Sequence, residues 1–262
     1  MTALFLAALA LGSPRASVNS TAVAPIYTAD SIVNAAANVT GLYAPNTFIS
    51  IYGQNLSRVT RAIGPGDITA GMLPTALTGT GVRVLINQIA ADIYYVSPGQ
   101  VNVLIPTLLA AGPATLQLEL NGVAGPAVPI TLANTAPALF QSDTTTVLAM
   151  HGDWTQVTSD SPARIGEEIV LYATGMGPTV PAAIPNQIPQ TAALLDASNG
   201  FQILLNGVPV DPRLVEYAGA APGFAGLFQI NFTVPPGMPP NPEIRVVSGN
   251  LTSPPQRYLP VE

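Results

Sequence analysis

The feature that most constrains this chain is an internal repeat of short, strand-like segments. Four segments of the first half recur in the second half in the same order, at offsets of 119 to 129 residues. The matching pairs are 45–52 with 165–172, 81–87 with 200–206, 100–106 with 229–235, and 115–121 with 243–249. A constant order at a nearly constant offset predicts two related units, each of about 100 residues.

The repeated segments read as β-strands. They are rich in Val, Ile, Leu, Tyr and Phe, and Gly, Pro and Asn separate them. The predicted strands are 47–52, 82–86, 101–105, 115–120, 127–132, 168–172, 201–205, 229–234 and 243–247. Helical periodicity is missing from all long windows, and only the alanine-rich stretch 31–38 predicts a helical turn. We therefore predict an all-β fold of two tandem immunoglobulin-like β-sandwich domains related by internal duplication.

The repeat also sets the expected domain limits. We expect a first sandwich with an N-terminal strand over residues 19–140 and a second over 164–262, joined by a hairpin connector at 141–163. The turn of that hairpin is predicted at Gly152-Asp153. The offset grows by about ten residues inside the second copy, which predicts an irregular loop at 217–226.

The N-terminus carries an apolar run at residues 2–12, followed by small residues at 13–18. Residues 1–18 are therefore either a secretion signal or an apolar arm that packs on the protein or a neighbour. The run is too short to span a membrane, which takes about 20 residues.

The charge balance excludes several classes of protein. The basic residues are eight arginines with no lysine, and the net charge is −6, so a nucleic-acid partner is not expected. With no cysteine, neither a disulfide framework nor thiol chemistry is available. An enzyme would have to rely on a carboxylate such as Asp92 or Glu216 with a tyrosine. We expect no enzyme, no catalytic residue and no cofactor.

Several motifs follow the order found in a known family. They are Leu73-Pro-Thr, Tyr95-Val-Ser-Pro-Gly-Gln-Val-Asn, Ile165-Gly-Glu-Glu-Ile-Val-Leu-Tyr-Ala-Thr-Gly-Met-Gly, Tyr217-Ala-Gly, and Gly226-Leu-Phe-Gln-Ile-Asn. Over about residues 30–262 the chain resembles the Solibacter-type C-terminal domain of secreted acidobacterial proteins. The resemblance implies an exported bacterial module with an immunoglobulin-like fold, and it implies nothing about catalysis.

The most suggestive polar motif is Gln-x-Asn, which occurs in both copies. Side chains alternate along a strand, so both amides of each motif lie on the face opposite the core. That face is either a contact surface for a glycan or a neighbouring subunit, or the amides bond backbone at a turn or bulge. The candidate interface or ligand residues are Gln100, Asn102, Gln229, Asn231, Tyr95, Trp154 and Tyr217.

Other candidate sites have weaker patterns. His151 lacks partners at metal-ligand spacing, and no Gly-x-Ser-x-Gly elbow accompanies it. Glu167 and Glu168 are adjacent on a strand, so they point to opposite faces and cannot act on one bond. We assign no metal site; the loop residues open to loose calcium binding are Asp153, Asp160 and Asp211.

These observations favour a non-enzymatic extracellular structural or adhesive protein. Its sharper form is a self-assembling surface or filament subunit, in which residues 20–33 add as a strand to a neighbour's sheet edge. The alternative is a glycan-binding module with an exposed aromatic platform. The platform candidates are Tyr94, Tyr95, Trp154, Tyr217 and Phe224. The expected partners are a second copy, a cell-surface partner or a polysaccharide.

Overall fold

The computed structural model describes residues 23–262. The predicted signal or arm at 1–18 lies outside the described residues, as does the start of the predicted donor strand. The described chain is almost entirely β-structure arranged as immunoglobulin-like β-sandwiches, which confirms the predicted fold class. Short 3-10 turns occur at Ala29–Ser31, Pro65–Asp67, Ala197–Asn199 and Pro212–Leu214.

The first sandwich contains eleven strands of the described chain. In order they are β1 (Ile32–Asn34), β2 (Leu42–Tyr43), β3 (Phe48–Tyr52), β4 (Arg61–Ala62), β5 (Val82–Ile86), β6 (Ile89–Ala90), β7 (Asp92–Val96), β8 (Gln100–Leu104), β9 (Gly112–Leu120), β10 (Val123–Ala124) and β11 (Val128–Leu132). One sheet has the order β1-β3-β8-β7-β4 and the other β2-β11-β9-β5-β6, with β10 beside β9. Alternating apolar side chains from both sheets meet between them and form the core.

The second sandwich contains the other eleven strands of residues 23–262. They are β12 (Ala138–Leu139), β13 (Ala149–His151), β14 (Glu168–Thr174), β15 (Thr179–Val180), β16 (Ala193–Leu195), β17 (Gln202–Leu205), β18 (Val208–Pro209), β19 (Val215–Ala220), β20 (Phe228–Thr233), β21 (Ile244–Ser248) and β22 (Leu251–Thr252). The larger sheet has the order β12-β14-β20-β19-β16-β15, with β13 also beside β14, and the smaller has β18-β17-β21-β22. Phe228 and Phe232 are the largest fully buried side chains of its core.

The two sandwiches share a strand order. The run β1-β3-β8-β7-β4 corresponds to β13-β14-β20-β19-β16, and β9-β5-β6 corresponds to β21-β17-β18, with every pairing antiparallel. The shared order agrees with a duplication, which stays a prediction from the sequence.

The expected helical turn at 31–38 forms only over residues 34–38, where Asn38 N donates to Asn34 O at 2.8 Å. Strand β1 occupies its start, and the chain then turns so that Asn34 N donates to Val39 O at 2.8 Å. The Asn34 side-chain oxygen accepts from Ala36 N at 2.9 Å. A side-chain oxygen in that position caps the single turn at its N-terminal end, and the turn stops at Asn38, whose φ of 53° is left-handed.

The expected irregular loop at 217–226 is also wrong over its first half. Residues 215–220 form β19, an inner strand of the larger sheet. Small residues concealed this strand: a side chain on Gly219 would collide with the Tyr217 ring and with the Ala193 carbonyl. An aromatic ring over a glycine replaces the cross-strand packing that the glycine lacks.

The stretch 141–163 packs as part of the second sandwich. Its strand β13 pairs with β14, and Val147, Val157 and Ala163 are fully buried in the second core. The tight turn falls at Gly152-Asp153, where Trp154 N donates to His151 O at 2.9 Å.

A proline-rich segment of the second sandwich, residues 178–191, crosses to the first; we call it the strap. Two backbone bonds join it to the first sandwich, from Leu73 N to Asn186 O at 2.7 Å and from Ile188 N to Gly71 O at 2.9 Å. An apolar cluster containing Leu73, Leu104 and Ala225 also spans both sandwiches. These contacts hold the two sandwiches together.

Candidate functional site

The Gln-x-Asn motif of the first sandwich lies on the outer face of its five-stranded sheet. Val101 and Val103 point into the core and are fully buried, while Gln100 and Asn102 are half-buried on the other side. Gln100 Nε2 donates to Asn102 Oδ1 at 2.8 Å. Both amides therefore lie on the face opposite the core, as the alternation of side chains predicts.

The second sandwich repeats the same arrangement. Gln229 Nε2 donates to Asn231 Oδ1 at 2.8 Å, between the buried residues Ile230 and Phe232. Here the amide pair extends into a network, because Asn231 Nδ2 donates to Glu168 Oε1 at 3.0 Å. This outer face is therefore polar and carries negative charge.

Each amide pair lies beside a β-bulge. The bulge in β7 brings Tyr95 opposite Asn102, and the bulge in β19 brings Tyr217 opposite Asn231. The amides bond each other rather than the backbone, although they do lie next to a bulge. We call Gln100, Asn102 and Tyr95 the first amide face. We call Gln229, Asn231 and Tyr217 the second amide face.

The second amide face has a tyrosine on two sides. Tyr172 lies directly across the strands from Gln229, and it is half-buried. Tyr217 uses its hydroxyl to donate to Ala220 O at 2.6 Å, which fixes the ring on the sheet. The face thus combines aromatic rings, amides and a carboxylate.

The remaining predicted aromatics are on other elements. Trp154 is at the tip of the 149–157 hairpin, with 59% of its surface exposed and φ of 68°. Phe224 is exposed in the loop after β19. Tyr94 does not belong to an exposed platform, since it packs edge-on against Phe48 at 4.8 Å between the sandwiches.

His151 is engaged on both sides of its ring. Nδ1 contacts Glu167 Oε1 at 2.5 Å, and Nε2 lies 3.1 Å from Ser161 O and 3.3 Å from Ser161 Oγ. The hydrogen bond to Glu167 raises the pKa of His151, which favours the imidazolium. An imidazolium that donates to both sides has no lone pair to accept the Ser161 proton, so this trio clamps the hairpin to the segment that leads into β14.

The acidic side chains of the described chain are scattered. Within residues 23–262, no three His, Asp or Glu side chains lie close enough to hold a metal ion. Asp153 and Asp211 instead accept hydrogen bonds from their own turns, at Thr155 N and Arg213 N.

Sequence reasoning missed a cleft of about 710 Å³ between the two sandwiches. The strap forms one wall, and the segment 104–111 of the first sandwich forms another. The site brings together residues that are distant in the chain, so no local motif could have revealed it. The polar side chains that line it include Asp92, Thr107, Asn134, Asn186, Gln190 and Asn199.

Asp92 is the most perturbed group of this cleft. It is 3% exposed, and Asn186 Nδ2 donates to its Oδ1 at 2.5 Å. Burial raises the pKa of Asp92 to about 6, which outweighs the lowering by Asn186. The neighbouring Tyr94 also has a raised pKa, through burial and then through the Asp92 charge.

The sheet edges of the described chain are short. Every edge strand in residues 23–262 has two or three residues. In the described part of the predicted donor strand, Ile26 pairs with Gln54 and β1 pairs with β3 of the same chain. Short edges limit strand addition, even without the charges that usually protect edges.

Comparison with known proteins yields no family. No family model matches the chain, and no curated protein matches it. No helix within residues 23–262 has the length and apolar character to cross a membrane.

Some solved structures resemble the chain weakly. A surface glycan-binding protein from Prevotella bryantii is 14% identical with a TM-score of 0.26, over 88% of this chain and 41% of that one. A Bacteroides ovatus surface glycan-binding protein, solved with a mixed-linkage heptasaccharide, is 13% identical with a TM-score of 0.35, over 84% and 44%. The chain thus spans less than half of either protein.

An immunoglobulin pair gives a similar result. The N-terminal two-domain module of the Drosophila receptor tyrosine phosphatase DLAR is 11% identical with a TM-score of 0.20, over 92% of this chain and 96% of that one. With identities and TM-scores this low, no function is transferred from any of these proteins.

Proposed function

We propose that this chain is a non-enzymatic extracellular module with a structural or adhesive role, which presents its two amide faces in a fixed arrangement. The observation that carries the proposal is the joining of the sandwiches. The strap pairs with the backbone of the first sandwich, and the Phe48 N–H donates to Thr174 Oγ1 at 3.2 Å. Linked domains move relative to each other by default, and the backbone pairing and the shared apolar cluster restrain that motion here, so the two faces keep a constant spacing.

The chemistry of the faces supports contact rather than catalysis. In the described structure Gln100 Oε1 and Asn102 Nδ2 have no protein partner, so one acceptor and one donor stay free for a partner molecule. His151, whose ring is bonded on both sides, offers no free base. Membership of the Solibacter-type family and an exported location belong to this proposal as well.

The test compares two double variants, Q100A/N102A and Q229A/N231A, with the loop variant D160N. Sedimentation velocity and electron microscopy of the full chain report self-association. Binding to intact cells of the source bacterium reports a surface partner. We expect the parent chain to show either self-association or cell binding. That property should be unchanged in D160N and reduced in Q100A/N102A or Q229A/N231A. A parent chain that stays monomeric and binds no cells would contradict the proposal, as would hydrolysis of a substrate by this chain.

A glycan-binding role is the second candidate, and the second amide face favours it. Tyr172 and Tyr217 flank Gln229 and Asn231 there, and sugar rings stack on aromatic faces while their hydroxyls bond amides and carboxylates. Pull-down with insoluble polysaccharides tests it, with Y172A as the variant and Y258A as the control on another surface. Equal retention of both variants, or no retention of the parent chain, would exclude a glycan site on this face.

A further inference from the structure

The interdomain cleft has the size and position of a ligand site. Its volume of about 710 Å³ falls within the range of about 300–1,000 Å³ that is common for small-molecule sites, which often lie between domains. It is separate from both amide faces. What it binds is therefore a separate question from what the faces bind.

The cleft contains a single charged residue. Asp92 is the only Asp, Glu or Arg among the described residues that line it. The strap and the segment 104–111 carry no charge at all. The titratable group next to Asp92 is Tyr94, whose hydroxyl donates to Ala225 O at 3.4 Å.

A buried carboxylate without a cation is costly, because burial removes its hydration. One carboxylate oxygen of Asp92 accepts a hydrogen bond from Asn186, and the other oxygen has no protein donor in the described chain. A cation placed beside Asp92 would restore the lost stabilisation. An anionic ligand would be repelled.

The form of the cation follows from the walls. A metal ion needs several oxygen ligands, and one carboxylate with scattered amides does not supply them. Leu109, Ile184 and Ile188 instead give the cleft aliphatic walls. Such walls suit a cation carried on a hydrocarbon chain.

We propose that the interdomain cleft binds an alkylammonium group, as on a lysine side chain or a free aliphatic amine, with Asp92 as its counter-ion. The chain itself contains no lysine, so the group must come from another molecule. The aliphatic stem lies against the strap and the 104–111 wall, and the ammonium donates to the Asp92 carboxylate.

The experiment uses the full chain with two cationic probes, N-acetyl-lysine amide and n-butylamine, and one neutral probe, N-acetyl-norleucine amide. NMR titration at about pH 8 measures binding. We expect saturable binding of the cations and at least a tenfold loss for the neutral probe. A preference for N-acetyl-lysine amide indicates a peptide-borne lysine, and a preference for n-butylamine indicates a free amine.

Variants and pH test the assigned counter-ion. D92N should lose at least tenfold in affinity, while D160N, which removes an exposed carboxylate elsewhere, should not. In the parent chain, protonation of Asp92 should weaken binding about thirtyfold at about pH 4.5, given its pKa of about 6. This pH effect needs no variant and so stands even if D92N folds poorly.

Three results would overturn the proposal. They are no saturable binding of either cation, equal binding of the norleucine probe, and affinity that is unchanged both in folded D92N and at low pH. None of these results bears on the amide faces, so the proposed function and this site can fail separately.

Discussion

Replacing Asp92 by asparagine should make the protein more stable at neutral pH. The pKa of Asp92 rises from 3.8 to about 6 on folding, because the carboxylate is buried in a charge-free cleft. The folded state therefore binds this proton more tightly than the unfolded state does. The stability contributed by Asp92 is greatest below pH 3.8 and falls as the pH rises to about 6.

The magnitude follows from the shift. Each pKa unit corresponds to about 1.4 kcal/mol, so Asp92 lowers the free energy of unfolding by about 3 kcal/mol at pH 8. The amide introduced by D92N keeps an oxygen that can accept from Asn186, and it carries no charge. We expect D92N to equal the parent chain below pH 3.8 and to exceed its unfolding free energy by about 3 kcal/mol at about pH 8.

The assay is urea unfolding of both proteins across this pH range. The exposed carboxylates Asp143, Asp153, Asp196 and Asp211 have lowered pKa values and produce the opposite trend. Both proteins share that trend, so the difference between them isolates Asp92. Parallel stability curves, with no divergence between about pH 4 and pH 6, would refute the reasoning.

Three further predictions concern other elements. Glu167 raises the pKa of His151, so this pair stabilises the folded protein fully below pH 6.5, and that stabilisation is lost as the pH rises through the folded-state pKa. H151Q should therefore lower the free energy of unfolding by about 1 kcal/mol below pH 6 and flatten the pH dependence of thermal melts. Gly226 has φ of 78° and packs against Phe48 of the other sandwich, so G226A should lower the free energy of unfolding in urea by about 2 kcal/mol. An unchanged midpoint would show that the interface rearranges to accept the methyl group. Phe232 is fully buried, so F232A should lower the free energy of unfolding by about 4 kcal/mol in the same assay. A loss below about 1 kcal/mol would mean that the core is not packed as described.

Strands with regular alternation are predictable. The segment 115–120 alternates polar and apolar residues, and it lies within β9. All nine predicted runs contain a strand. The amide directions are predictable for the same reason, since a period of two fixes the face of each side chain.

Elements that depend on distant contacts are not predictable in this way. The second half of β19, residues 218–220, has only small side chains, and the Tyr217 ring covers Gly219 there. The helical turn is shorter than the alanines suggest, because β1 pairs with β3 as far as Asn34 and Asn38 is left-handed. The sequence alone presents Asp92 only as a fallback catalytic carboxylate, because the cleft exists only when the strap from the other sandwich meets it.

The central claim is that the two sandwiches act as one rigid body. The chain has no cysteine, so R83C/V208C places one spin label on an exposed strand of each sandwich without background labelling. Double electron–electron resonance then measures the distance between the labels. The account predicts a single narrow distance distribution. A broad distribution in the parent chain, which altering the strap by N186G does not change, would contradict the claim because the strap would then not restrain the two sandwiches.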